Sequence, residues 1–171
     1  MSRLSKRIRG SACTIPIDMA SQEASTFVEL KGRLLVVYDG ECGFCNRSIR
    51  WFLRRDRHDR LRFAPSSDPV IRELLASHGT PNLIVEINPD TILVFRNLGT
   101  PIEELVVRSN AILACLRVLP QPWPFFAGVL RLIPRPVREF GYRLVARWRY
   151  RIWGRYTTCP IPTPEERRHF I

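Results

Sequence analysis

Apolar residues come in short blocks along this chain, and the period inside each block assigns an element. Leu34–Tyr38 is a continuous run rich in branched residues, which predicts a buried strand. From Asn46 to Arg57 the period changes. Ile49, Phe52 and Leu53 recur at helical spacing, with Arg47, Arg50, Arg54 and Arg55 on the remaining surface. Leu61-Arg62-Phe63-Ala64 alternates and predicts a second strand. Asp68-Pro69 then supplies a cap and a proline at the first helical position. Val70, Ile71, Leu74 and Leu75 form that helix's apolar face, and Gly79 is its stop. Strand, helix, strand, helix predicts a parallel pair joined by a crossover.

Leu83–Ile87 and Thr91–Phe95 flank Asn88-Pro89-Asp90, which predicts a hairpin. Glu104–Val107 reads as a further strand rather than a helix start, with Ser109 capping a helix that begins at Asn110. Pro120, Pro122 and Pro124 end that helix, and a short apolar helix from Phe125 to Ile133 follows. The last long helix carries Val137, Phe140, Leu144, Val145, Trp148 and Ile152 at helical spacing and stops near Gly154. The tail from Thr157 is broken by prolines. The expected architecture is α/β, a central mixed sheet with flanking helices and an added C-terminal helical segment. One domain over residues 32–171 follows an N-terminal extension, 1–31, that shows no sustained period.

At 171 residues and 45% apolar, the chain can bury a core without disulfide staples. Its net charge of +11 is concentrated late, with eight arginines against one glutamate between Arg131 and Arg155. Such a balance suits nucleic acid, an anionic membrane or an acidic partner. Trp148, Tyr150, Trp153 and Tyr156 interleave with Arg147, Arg149, Arg151 and Arg155. Two readings of that helix compete. It grips an anionic surface weakly through Arg147, Arg149 and Arg151, or it packs Trp148 and Ile152 on the core and leaves its arginines solvated. The second is preferred, and no specific nucleic acid is expected. No apolar stretch reaches the roughly 18 residues of a spanning helix, and no signal peptide is visible. With five cysteines, an odd number, a reducing and cytoplasmic setting is expected.

The candidate chemistry lies between the first strand and the first helix, in Asp39-Gly40-Glu41-Cys42-Gly43-Phe44-Cys45. Cys42 falls at the first turn, where free backbone N–H groups and the positive end of the helix dipole favour a thiolate. It is expected to be the exposed, attacking thiol. Cys45 shares the stripe of Ile49 and Phe52 and is expected to be buried, suiting it to resolve a mixed disulfide. Gly43 removes side-chain bulk beside Cys42. Asp39 either accepts a proton from Cys45 or, as preferred, caps the helix and holds the turn. Glu41 opposes the thiolate by its charge. A zinc site needs two more ligands, and no second C-x-x-C accompanies His58, His78 and His169. No metal or cofactor is expected. Cys115 reads as core packing and Cys13 as incidental.

These residues resemble the DCC family of thiol-disulfide oxidoreductases, named for the Asp-x-x-Cys-x-x-Cys pattern that Asp39, Cys42 and Cys45 match. Arg62-Phe63-Ala64, Arg108-Ser109-Asn110-Ala111, Arg149-Tyr150-Arg151-Ile152-Trp153-Gly154 and Cys159-Pro160-Ile161-Pro162-Thr163-Pro164-Glu165 are also similar to that family. The resemblance implies a thioredoxin-like fold and thiol-disulfide exchange, with a protein or small-molecule disulfide as substrate and a thiol as electron donor. Thr80-Pro81 stands where thioredoxin-like proteins set a cis-proline opposite the motif, and a trans loop proline is equally open. A different class of function is a non-catalytic, redox-sensing module that docks a membrane or protein through its basic C-terminal face.

Overall fold

A computed structural model of the chain describes residues 30, 32–77, 91–98, 100–156 and 162–171. Its described elements are β1 (Leu34–Tyr38), α1 (Gly43–Leu53), β2 (Leu61–Pro65), α2 (Pro69–Ser77), β3 (Leu93–Arg96), β4 (Glu104–Val107), α3 (Arg108–Val118), α4 (Trp123–Leu132), α5 (Arg135–Trp153) and α6 (Pro164–Arg167). The four strands form one mixed sheet in the order β2-β1-β3-β4. β1 and β2 are parallel, as the strand–helix–strand order predicts, while β3 is antiparallel to both β1 and β4. This is the thioredoxin-like arrangement expected from the sequence.

Alternation along β1 divides the core. Leu34, Val36 and Tyr38 join Ile49 and Phe52 of α1, Ala111 and Cys115 of α3 and Ala127 of α4 on one face. Leu35 and Val37 meet Ile71 and Leu75 of α2 on the other. Burial on both faces is why β1 reads as an unbroken apolar run. The outer edge of β2 is covered by the C-terminal residues. Phe63 N donates to His169 O at 2.8 Å, and Ile171 N donates to Phe63 O at 3.2 Å.

Several local expectations shift. Asp68 does cap α2, accepting from Val70 N at 2.9 Å, but Val70 itself is exposed. Both edges of β3 are taken, by β1 and β4, so its hairpin partner is β4. The expected partner Leu83–Ile87, the turn at Asn88–Asp90 and the stop at Gly79 lie outside the described residues. α3 starts at Arg108 with Val107 as its cap residue, and Ser109 turns away to donate its hydroxyl to Glu139 of α5. The tail contains a helix, α6, closed by a capping box between Thr163 and Glu166.

The largest change concerns α5. Arg149, expected on a solvated face with Arg147 and Arg151, is only 4% exposed, whereas Trp148 and Ile152 face solvent. The helix is mounted with its polar side inward, because Glu139, Tyr142 and Arg149 each find a partner in the domain.

Candidate active site

The site is built at the junction of β1 and α1. Cys42 has extended backbone angles (φ −80°, ψ 119°) and is the cap residue of α1. Its sulfur accepts from the backbone N–H of Cys45 at 3.3 Å. A thiol thus fills the place usually held by a serine or aspartate oxygen. The loop before it is fixed from both ends. Asp39 Oδ1 accepts from Glu41 N at 2.9 Å, and Asn46 Nδ2 donates to Gly40 O at 2.7 Å and Cys42 O at 3.0 Å.

Arg149 enters from α5. Its Nη1 lies 3.2 Å from Cys45 Sγ, and its Nη2 donates to Asp39 Oδ2 at 3.0 Å. Nη2 also donates to Tyr150 Oη at 2.7 Å, and that hydroxyl donates in turn to Asp39 Oδ2. A planar guanidinium can serve a sulfur and a carboxylate together, which a lysine ammonium on a flexible stem cannot do with the same geometry. Asp39 holds the turn with one oxygen and Arg149 with the other.

These contacts separate the two thiols electrically. Hydrogen bonding from the Cys45 thiol lowers Cys42 to about 6. Burial works against this, while the Cys45 backbone N–H and the charge of Arg149 reinforce it. Cys45 is pushed up, first because it donates to Cys42 and then by burial, and Arg149 only partly offsets this. One proton shared by two sulfurs makes the pair titrate as a unit.

Access reverses the expectation. Cys42 is fully buried, whereas Cys45 is only partly buried. The cover over Cys42 is the strap that follows α5, Gly154–Tyr156. Gly43 N donates to Gly154 O at 3.3 Å, Tyr156 N donates to Glu41 O at 2.8 Å, and Arg155 bridges to Cys42. Gly154 makes the turn at φ 71°, ψ 179°, a conformation open essentially to glycine. Gly43 is required for this crossing, since a Cβ there would run into the Trp153 carbonyl. Cys45 instead faces a cavity of about 60 Å³ lined by Tyr38, Phe44, Tyr142 and Arg149. Phe44, Phe52, Ile112, Tyr142 and Val145 are shared between that cavity and an apolar groove of about 580 Å³, bounded by Trp51 and Trp153.

Asp39, Cys42, Gly43 and Cys45 thus come together as the sequence pattern predicts, while Pro81, Cys13 and Cys159 lie outside the described residues. Cys115 is buried in the core, and burial pushes its thiol up to about 12. Arg149, Tyr150 and the strap were missed by periodicity. The signal that could have found them is the similar segment Arg149–Gly154, which names both the arginine and the glycine. Among the described residues, the group close enough to hold a metal ion is Asp56, Asp59 and His169, which includes neither active-site cysteine. No described helix is long and apolar enough to cross a membrane.

Residues 36–155 match the family described as DCC1-like thiol-disulfide oxidoreductase. A chloroplastic DCC family protein of Arabidopsis thaliana is 30% identical over 167 residues, covering 94% of this chain and 91% of its own length. The uncharacterized protein YuxK of Bacillus subtilis is 26% identical over 146 residues, covering 85% of this chain and 98% of its own. No solved structure matches the chain.

Proposed function

The chain belongs to the DCC1-like thiol-disulfide oxidoreductase family, and we propose that it exchanges disulfides through Cys42 and Cys45. The observation that carries this reading is the pairing of a helix-capping thiol, lowered to about 6, with a second thiol whose sulfur lies 3.2 Å from a buried arginine. The Cys42 thiolate attacks one sulfur of a substrate disulfide. The S–S bond breaks, the distal sulfur leaves as a thiolate, and a mixed disulfide forms on Cys42. Cys45 then gives up its proton and attacks the Cys42 sulfur. The second substrate sulfur leaves as a thiolate, and a Cys42–Cys45 disulfide remains. Two electrons pass from the pair to the substrate, and two donor thiols restore the pair by the reverse steps, leaving as a disulfide. Arg149 stabilises the thiolate that develops on Cys45. Asp39 positions Arg149, and Gly43 lets the strap cross.

The burial of Cys42 means that the strap must part from Glu41 and Gly43 before an outside disulfide reaches that sulfur. The partial burial of Cys45 beside the cavity favours a second reading, in which Cys45 makes first contact from the groove. Both are separated by trapping with a disulfide-bonded protein substrate. Under the first reading Cys45→Ser accumulates a mixed disulfide on Cys42 and Cys42→Ser accumulates none. The opposite pattern assigns first attack to Cys45. Full turnover by either variant rejects the exchange mechanism altogether.

A further inference from the structure

The outward side of α5 is an interaction surface in its own right. Val137, Phe140, Leu144, Trp148 and Ile152 follow one another at spacings of three and four residues, so they form one stripe. All are exposed: Val137 58%, Phe140 66%, Leu144 50%, Trp148 45% and Ile152 61%. The helix cannot be rotated to hide them. Its other side is pinned by Glu139 to Ser109, by the Tyr142 hydroxyl accepting from Ile92 N at 3.0 Å, and by Arg149 to Asp39 and Cys45. Surface stripes of large apolar side chains on this scale mark binding sites.

Charge selects the occupant. Arg143, Arg147 and Arg151 stand at four-residue spacing beside the stripe and are exposed. The lone acidic residue between Arg131 and Arg155 is Glu139, and it is turned inward to Ser109 and Arg108. The surface is therefore apolar and positive, with no negative group of its own on α5. A second copy docked about a two-fold axis would set arginine row against arginine row. Phe140 and Trp148 are separated by Leu144 and flanked by the aliphatic Val137 and Ile152, so the stripe offers no run of aromatic platforms for successive bases.

We propose that this face of α5 seats on an anionic lipid bilayer surface. From Val137 to Ile152 the helix rises roughly 22 Å, and it lies in the plane of the interface rather than crossing it. The stripe enters the acyl boundary, while Arg143, Arg147 and Arg151 reach back to lipid phosphates along their aliphatic stems.

The test is co-sedimentation of the full chain with vesicles of phosphatidylcholine alone and of phosphatidylcholine mixed with phosphatidylglycerol. Binding is expected to the mixed vesicles only and to weaken as salt is raised. Replacing Arg143, Arg147 and Arg151 with Gln should weaken it roughly a hundredfold, at about fivefold per arginine. Phe140→Asn with Leu144→Asn should abolish it, with circular dichroism checking that both variants fold. Cys42→Ser should bind unchanged, which separates this surface from the chemistry of the pair. Failure to bind the mixed vesicles, or equal binding to neutral ones, overturns the proposal. So does a dimer in sedimentation equilibrium that Phe140→Asn with Leu144→Asn dissolves, because the face then belongs to a second copy.

Discussion

Arg149 and Asp39, 110 residues apart in sequence, meet as a buried ion pair at 3.0 Å, and the same guanidinium touches the Cys45 sulfur. The pair joins α5 to the loop that carries the first cysteine. Removing Arg149 leaves the largely buried Asp39 carboxylate without its opposite charge, which costs about 3 kcal/mol. Arg149→Met should therefore lower the urea midpoint sharply. It should also raise the midpoint of Cys42 ionisation above about 6, because one of the groups that lowers it is lost. Ultraviolet thiolate absorbance reads the second effect directly, and an unmoved midpoint would refute the electrostatic role of Arg149. Arg149→Lys should restore charge without the double contact and fall between the two.

The reduced protein should grow more stable as pH rises. Cys42 is at about 6 when folded and 9.0 as an ordinary thiol, so the folded state holds fewer protons between those values. Its contribution is complete above 9 and is lost as pH falls through 6. Urea unfolding in reducing buffer should show this slope for the native sequence and not for Cys42→Ser. At neutral pH the thiolate should outnumber the thiol about tenfold. Cys45 acts in the opposite sense, but only above the ordinary thiol range.

Gly43→Ala places a methyl against the Trp153 carbonyl, with the Gly154 carbonyl 3.3 Å away. Backbone on both sides cannot yield cheaply, so a loss of about 1–3 kcal/mol is expected. Because the displaced strap is also the cover, alkylation of Cys42 should accelerate in the same variant. That stability loss with unchanged alkylation would mean that the strap does not limit access.

Ser109→Ala should cost about 1–3 kcal/mol, since Glu139 is left without the hydroxyl it accepts from in a half-buried place. Urea midpoints with an unchanged slope would locate the loss in the folded state. A neutral result would show that Arg108, 3.9 Å from the same carboxylate, is enough to satisfy it.

The parts legible in the sequence are those whose causes are local. β1 announces itself by a run that both faces of the sheet bury, β2 by its alternation, and the C-x-x-C by its place between such a run and a helical period. Arg149 was illegible to periodicity because its partners are distant. A helix with a clean apolar stripe is read with that stripe inward, and here three polar anchors on the opposite side decide the orientation. Ser109 misled for a related reason. Serine before a helix suggests a cap, yet Arg108 adopts φ 54° and Ser109 is spent on α5. The capping box of α6 was readable, with Thr163 and Glu166 three residues apart, but the prolines around it drew the reading toward a broken tail.

One continuous helix carries the outward stripe, the arginine against Cys45 and, at its end, the strap over Cys42. Binding on one side of such an element and exchange on the other are linked only where the two redox states present the helix differently. If the reduced and oxidised forms differ tenfold in affinity for a surface, the reduction potential of the pair on that surface must differ by about 30 mV from its value in free solution. The sign follows from which form binds better. A surface that prefers the reduced form makes the pair a stronger oxidant, and one that prefers the oxidised form makes it a stronger reductant. The location of the molecule would then be a setting on its redox poise.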